Sequence, residues 1–254
     1  MRLVSRTLLA AAACLLAATS ASHAQARGPN WSGFYAGASG GYGWLDLAGT
    51  EGFLETDGLV FGITPSTFQR YPASDSNDKF GGWFGGVQVG YQQQWGAWLA
   101  GIETDIQWSD IEEKGQSLGS EMGPTYNTSA ELEYFGTLRL RSGWTVGNVL
   151  FYATGGLAYG RAAGKVSVMP GTPASPGLGG PYAGSDGKTM VGWTVGGGIE
   201  IALSEAISVK AEYLHLDLGD ADFRFDLAGA DGSYIKQKQA LDLDIVRIGL
   251  NVRF

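Results

Sequence analysis

The sequence predicts an all-β fold, an eight-stranded antiparallel up-and-down transmembrane β-barrel. Three observations predict it: a secretory leader at the amino end, segments in which apolar and polar residues alternate, and connections that are short and long in turn. Alternation with period two places the apolar side chains on one face of a strand. Bacterial outer-membrane barrels combine an even strand number with short periplasmic turns and long external loops.

The first 26 residues have the pattern of a secretory signal peptide. Arg2 and Arg6 precede an apolar run over residues 7–18, and residues 24–26 form a small-x-small cleavage site. The run is too short to cross a bilayer as a helix. The one cysteine, Cys14, lies within this run, so no disulfide is expected after export. We expect residues 27–254 to form a single barrel domain.

The composition excludes several classes of protein. Loss of the predicted leader removes two arginines and no acid, which takes the formal net charge from -8 to -10. An acidic chain is a poor partner for nucleic acid and for simple electrostatic docking on anionic lipid. The 41 glycines follow no collagen period, and the 8 Trp and 11 Tyr argue against disorder.

The predicted strands follow one another with alternating short and long connections. The expected strands are residues 34–44, 80–92, 98–108, 130–144, 149–160, 190–203, 207–213 and 246–254. The expected long loops are residues 45–78, 112–127, 170–187 and 217–239. Only a few residues around Gly96, Gly147 and Glu205 separate the strands on either side, so these strands pair as hairpins. Both termini then lie on the periplasmic side.

The first strand carries most of its glycines, Gly37, Gly41 and Gly43, on one face. Phe34, Ala36, Ala38, Tyr42 and Trp44 alternate with them on the other face. A glycine-rich segment can bind phosphate when a helix follows it, but no helical pattern follows here, so a nucleotide site is not expected.

The third and fourth strands show how the two faces differ. Trp98 and Trp108 stand near the two ends of the third strand, which suits the two membrane interfaces. In the fourth strand, the pattern predicts Leu132 on the apolar, lipid-facing side and Glu133 on the opposite side. A soluble barrel of the lipocalin kind would instead turn its aromatic faces inward around a ligand.

The opposite faces of the strands carry charges of both signs in equal number. The ten residues are Glu103, Asp105, Glu133, Glu200, Glu212, Arg139, Arg141, Lys210, Arg247 and Arg253. An eight-stranded barrel is filled by its own side chains, and an unpaired charge inside it is costly. We therefore expect a paired network of Glu103, Asp105, Arg139, Arg141, Glu200, Lys210, Glu212 and Arg247. It can simply stabilise the fold, or it can line a proton path or pore.

Three segments resemble a known family. NWSGFYAGASGGYGW at residues 30–44, KAEYLHLDLG at residues 210–219 and VRIGLNVRF at residues 246–254 resemble the small porin-like outer-membrane barrels of alphaproteobacteria, the outer membrane immunogenic proteins. These are similar in architecture to the transmembrane domain of OmpA. The resemblance implies a structural surface protein of the cell outer membrane, in contact with lipid and lipopolysaccharide. It also implies that the outer-membrane assembly machinery reads Arg247, Gly249, Val252 and Phe254.

We expect no open pore, no catalysis and no cofactor or metal site, and the long loops can serve adhesion or ligand capture. The alternatives are a narrow porin-like channel and a haemin-binding surface receptor, since some relatives bind haemin or host surfaces. His215, the one histidine outside the leader, could be an axial ligand. Some barrels of this size modify lipid A with a His and a Ser, but no serine lies at alternating distance from His215. The acidic loops lack the spacing of a calcium-binding loop.

Overall fold

The computed structural model describes residues 28–56, 67–69, 80–118, 125–169, 182–226 and 233–254. The predicted signal peptide, residues 1–26, lies outside the described residues. The described strands are β1 (Gly33–Thr56), β2 (Thr67–Gln69), β3 (Phe80–Trp95), β4 (Trp98–Leu118), β5 (Thr125–Val146), β6 (Val149–Met169), β7 (Tyr182–Ala202), β8 (Ile207–Asp226) and β9 (Ser233–Arg253). Within these ranges, helices of the length and apolar character needed to cross a membrane are absent.

Eight long strands close into a barrel. Each pairs antiparallel with its neighbours around the sheet, and β1 pairs with β9 from Tyr35 opposite Arg253 to Thr56 opposite Ser233. Closure leaves no unpaired strand edge in the part of the barrel that crosses the membrane. Lipid requires this, because it offers no hydrogen bonds to an exposed strand. The predicted eight-stranded up-and-down barrel is confirmed, and β2 is a short addition that pairs with β1 alone among the described strands.

Short turns occupy one end of the barrel, which we call the turn end. Gly96 and Gly147 have φ of 65° and 62° and begin two-residue hairpin connections, as predicted. Glycine adopts this left-handed conformation without the steric cost that a Cβ brings. The third turn covers residues 203–206, and Phe254 lies at the same end. The opposite end is called the loop end.

The outward face of the barrel is apolar between two rings of aromatic side chains. In β4, Trp98 and Trp108 are ten residues apart. At roughly 3.3 Å per residue and a tilt of about 40°, that separation spans about 25 Å, the height of an outer-membrane apolar band. The ring at the loop end contains Tyr42, Trp83, Trp108, Trp193 and Tyr213, and the ring at the turn end contains Phe34, Tyr91, Trp95, Trp98, Trp144, Phe151 and Phe254.

The strands continue beyond the aromatic ring at the loop end. β4 reaches Leu118 and β8 reaches Asp226, where the sequence predicted loops from residues 112 and 217. These loop boundaries were wrong because backbone hydrogen bonds between neighbouring strands continue outside the lipid, where no apolar face is needed. Parts of all four predicted loops, including residues 57–66, 119–124, 170–181 and 227–232, lie outside the described residues.

Beyond that ring the sheet divides into two sets of strands. Pairing between β7 and β8 ends with Trp193 opposite Asp217, and β3 begins only at Phe80. A bulge in β8 between Asp217 and Asp220, with Gly219 at φ 73°, marks the point of divergence. The outer parts therefore form one sheet of β4, β5, β6 and β7 and another of β8, β9, β1 and β2.

A bulge in β5 overturns one prediction about side-chain direction. Register shifts between Leu132 and Tyr134, so one extra residue enters the strand. Such an insertion changes which face each following residue occupies. Leu132 is therefore buried inside the barrel, whereas Glu133 faces outward and pairs with Arg161 at 3.1 Å.

Candidate functional site inside the barrel

The inward side chains form three layers along the barrel axis. From the loop end to the turn end, the inward positions of β9 are Leu241, Leu243, Ile245, Arg247, Gly249, Asn251 and Arg253. An apolar layer thus lies above a charged layer, and a second apolar layer closes the turn end. Because strand alternation fixes which residues point inward, each layer collects side chains from several strands.

The charged layer contains all eight residues of the predicted network. Each of Glu103, Asp105, Arg139, Arg141, Glu200, Lys210, Glu212 and Arg247 is at most 4% exposed. Four acids therefore face four bases in an environment of low dielectric, where only close pairing offsets the cost of desolvation. Glu133 lies outside, and Arg253 lies nearer the turn end, so neither belongs to this layer.

Glu103 is the centre of the charged layer. Its carboxylate lies 2.7 and 2.9 Å from the Lys210 ammonium and 3.4 Å from Arg141. It also pairs with Arg139 and, at 3.3 Å, with Arg247. Its neighbour in register on β5 is Arg139, so strand pairing alone brings these two charges together.

A second group of ion pairs joins β4, β5, β8 and β9. Arg139 lies 3.0 Å from Glu212 and 3.1 Å from Asp105, and Arg247 lies 3.2 Å from Asp105. Arg247 also donates from Nε to Glu212 at 2.6 Å. Each guanidinium is thus shared between carboxylates of different strands, which ties together opposite walls of the barrel.

Arg141 extends the network toward the turn end. It donates to Glu200 at 2.7 Å and to the Tyr35 hydroxyl at 3.0 Å, and Tyr35 in turn donates to Glu103 at 2.7 Å. The ring of Tyr152 lies 4.1 Å from the Arg141 guanidinium carbon. The network predicted from the sequence did not include Tyr35 and Tyr152, although both occupy inward positions of their strands.

Inward glycines make room for these long side chains. A Cβ at Gly90 would lie 2.4 Å from the Tyr35 ring, and one at Gly249 would lie 3.1 Å from the Lys210 side chain. Such contacts would force the aromatic or charged group out of place. By contrast, a Cβ at the lipid-facing Gly85 would meet nothing nearer than 3.8 Å.

The apolar layer at the loop end was not predicted. Its residues are Leu45, Phe84, Ile111, Leu132, Phe135, Ala158, Ala162, Met190, Leu214, Leu216, Leu218, Leu241, Leu243 and Ile245. A signal was available, because leucines alternate with polar residues in β8 and continue the phase of Lys210 and Glu212. The inward face therefore changes from charged to apolar within one strand.

The apolar layer at the turn end was also missed. It consists of Trp31, Leu99, Leu150, Tyr152 and Ala202. Trp31 precedes β1 and belongs to no strand, so strand alternation could not have assigned its direction.

The four residues of the predicted assembly signal occupy both faces of β9. Arg247 and Gly249 point inward, and Val252 and Phe254 point outward, with Phe254 79% exposed in the protein alone. The final aromatic ring thus lies on the outside of the barrel at the turn end, where lipid or another protein can contact it.

His215 lies outside the barrel, near the aromatic ring at the loop end. Its Nδ1 is 2.9 Å from Asp244, which also accepts a hydrogen bond from Tyr213 at 2.7 Å. The Trp193 ring lies 5.5 Å from the imidazole. Asp244 was not singled out from the sequence, and its neighbouring position in register with His215 explains the contact.

The closed barrel, its apolar outward band and its charged interior define a transmembrane β-barrel. The chain matches the outer membrane protein beta-barrel domain family over residues 10–254, and it belongs to that family. Its location is therefore the cell outer membrane, as the resemblance implied.

Two relatives and one solved structure support the same assignment. The 31 kDa outer-membrane immunogenic protein of Brucella melitensis biotype 1 is 37% identical over 176 residues, which cover 68% of this chain and 67% of that protein. The 22 kDa outer membrane protein of Rhizobium leguminosarum bv. viciae is 26% identical over 225 residues, 89% of this chain and 79% of that protein. The structure of OprG from Pseudomonas aeruginosa matches with a TM-score of 0.51 and 14% identity, over 89% of this chain and 98% of OprG, which shows likeness of fold.

Proposed function

We propose that this chain is a structural surface protein of the outer membrane, a filled barrel without an open pore and without catalytic activity. The main support is the interior, where two apolar layers enclose a layer of paired charges. A barrel of eight strands has space for side chains but little more. In this proposal the charged layer has a mechanical role, because its ion pairs join strands on opposite walls.

Conductance in planar lipid bilayers tests the absence of a pore. We expect no large steady current from protein whose folding is checked by heat-modifiable migration on gels. Large steady currents from such a preparation would contradict the filled interior and would favour a channel.

We propose that the loop end faces the outside of the cell and the turn end faces the periplasm. Short periplasmic turns and long external connections are the usual arrangement in such barrels. The relatives from Brucella are named immunogenic proteins, which agrees with exposure of one end to a host. In this orientation the loop end provides the surface for adhesion or ligand capture.

Labelling of intact cells tests the orientation. Lys165 is exposed near the loop end of β6, and Asn148 is exposed in a turn at the other end. Because Cys14 is the one cysteine and lies in the predicted leader, a single engineered cysteine gives a clean signal. We expect a membrane-impermeant maleimide to label Lys165→Cys but not Asn148→Cys in intact cells, and both after lysis. The reverse pattern would refute the orientation.

A narrow water or proton path is the second candidate, and unpaired polar atoms favour it. Among the described residues, Gln88 Oε1, Gln92 Oε1, Gln107 Oε1 and Asp105 Oδ1 are buried without a hydrogen-bond partner. Buried polar atoms are normally paired with protein or with ordered water. Proton flux into liposomes that falls with Asp105→Asn would support this path, whereas flux no greater than in protein-free liposomes would reject it.

We propose further that lipopolysaccharide surrounds the loop end and that the outer-membrane assembly machinery reads the carboxyl-terminal residues. The exposed Phe254 ring at the turn end is available for such recognition. Capture of haemin through His215 remains a prediction from the sequence.

A further inference from the structure

The segment before β1 crosses the opening at the turn end of the barrel. Gly28 lies against the β5 to β6 turn, where a Cβ would be 2.5 Å from the Gly147 carbonyl oxygen. Asn30 reaches two further parts of the rim: its N–H donates at 3.4 Å to Glu205 in the neighbouring β7 to β8 turn, and its carbonyl accepts from Arg253 of β9 on the far side. The five residues 28–32 have no regular secondary structure, yet they span the opening.

Trp31 is the point at which this segment enters the barrel. Its side chain is completely buried in the apolar layer at the turn end, with the Arg253 guanidinium carbon 4.8 Å from its ring. Leu99 and Leu150, which belong to the same layer, are also completely buried. Tryptophan is a large residue that is rarely buried completely. Trp31 is buried although its segment precedes β1 and belongs to no strand.

Side chains rather than a strand ladder hold the segment. The backbone N–H of Trp31 donates to Gln94 Oε1 at 3.0 Å, and its backbone carbonyl accepts from Gln92 Nε2 at 2.8 Å. Ser32 accepts from the Gln94 N–H at 3.1 Å. Segments with few backbone hydrogen bonds open at lower free energy than the strands around them.

We propose that residues 28–32 form a displaceable cork, in which the Trp31 indole closes the barrel at its turn end. Displacement of the cork exposes an apolar site the size of an indole ring, with a cation beside it. The charged layer lies next to this site, on the side toward the loop end. Tyr152 connects the two, since it belongs to the apolar layer at the turn end and its hydroxyl donates to Glu212 at 3.0 Å. The cork therefore controls whether water reaches the charged layer from this end, whatever the barrel conducts.

Cysteine reactivity tests the cork. Thr154 is a buried, inward residue of β6. It lies between the apolar layer at the turn end and the charged layer. In protein reconstituted in liposomes, we expect Trp31→Ala to raise the labelling rate of Thr154→Cys by a small water-soluble maleimide about tenfold or more, because opening limits the reactivity of a buried group. Trp144→Ala is the matched control, since Trp144 lies at the same end but faces lipid, and it should leave the rate unchanged.

Added indole provides a second measurement. An apolar space left by a deleted side chain can bind a small aromatic molecule, so indole should restore the protection of Thr154→Cys in the Trp31→Ala protein.

A second variant is needed if Trp31→Ala fails to fold, as judged by heat-modifiable migration. Gln92→Leu with Gln94→Ala removes the side chains that hold the segment but retains the tryptophan, and it should also raise the labelling rate of Thr154→Cys. Equal labelling rates in the released and control proteins would overturn the proposal. Conductance of the wild-type protein tests the proposed absence of a pore, so the result for the cork and the result for the pore can be told apart.

Discussion

At the scale of single residues, the charged layer consists of ion pairs in which removal of one member destabilises the other. Lys210 is completely buried, and Glu103 is the one acid within salt-bridge distance of it among the described residues. Removing one member of a buried pair leaves an uncompensated charge, whereas replacing both members by apolar residues of similar volume is often tolerated.

The Glu103 and Lys210 pair gives a direct test of this dependence. We expect Glu103→Leu to lower the free energy of unfolding by about 3–5 kcal/mol, because Lys210 is left without a counter-charge. Adding Lys210→Met should recover a large part of the loss. Equilibrium urea unfolding from liposomes measures both changes, and losses that simply add in the double variant would show that the two charges are independent.

At the scale of an element, β9 changes the chemistry of its two faces along its length. Near the loop end its inward residues are apolar and Asp242 and Asp244 face outward, whereas near the middle Arg247 faces inward and Ile248 faces lipid. The strand therefore behaves as part of a soluble sheet at one end and as a membrane strand at the other. The solvent outside the barrel decides which face can be apolar.

Two leucines of β9 on opposite faces test this reversal. Leu243 is completely buried inside the barrel, and Leu250 is 48% exposed toward lipid. We expect Leu243→Ala to cost about 2–5 kcal/mol of unfolding free energy, since it leaves a cavity in packed protein. Leu250→Ala should cost less, because lipid fills the space and the transfer term alone is lost. Equal losses in urea unfolding would argue that Leu243 also faces lipid.

At the scale of the whole molecule, one closed sheet inside the membrane becomes two sheets beyond it. Pairing of β7 with β8 stops at Trp193, so residues 182–192 of β7 have β6 as their one partner in the sheet ladder among the described strands. Beyond this point the Arg224 N–H of β8 donates to the Asp186 side chain at 3.0 Å. A strand paired on one side leaves alternate N–H groups without a partner in the ladder.

Hydrogen exchange measures the consequence for stability. We expect the amides of residues 182–192 to exchange faster than those of residues 193–201, which are paired on both sides. The matching outer part of β6, residues 160–168, is paired on both sides and is the control. Equal protection in all three segments would mean that another part of the chain covers the free side of β7.

The sequence by itself determined the barrel, its strand number, its turns and the identity of the charged layer. Each of these follows from local pattern: period-two alternation identifies the strands, and phase within a strand places Glu103 or Arg247 on the inward face. The same reasoning failed at Leu132 and Glu133, because it carried one phase of alternation through the whole strand. The adjacent aromatic residues Tyr134 and Phe135 interrupt that phase, and the bulge lies directly before them.

Tertiary structure alone decided which charges meet, where the sheet divides and what closes the ends. Arg141 reaches Glu200 across 59 residues of chain, and Trp31 reaches Gln94 across 63. Barrel closure and register set these distances, since they fix the height at which each inward side chain lies. Local sequence carries no information about that height, and for this reason the cork of residues 28–32 is visible only in the folded chain.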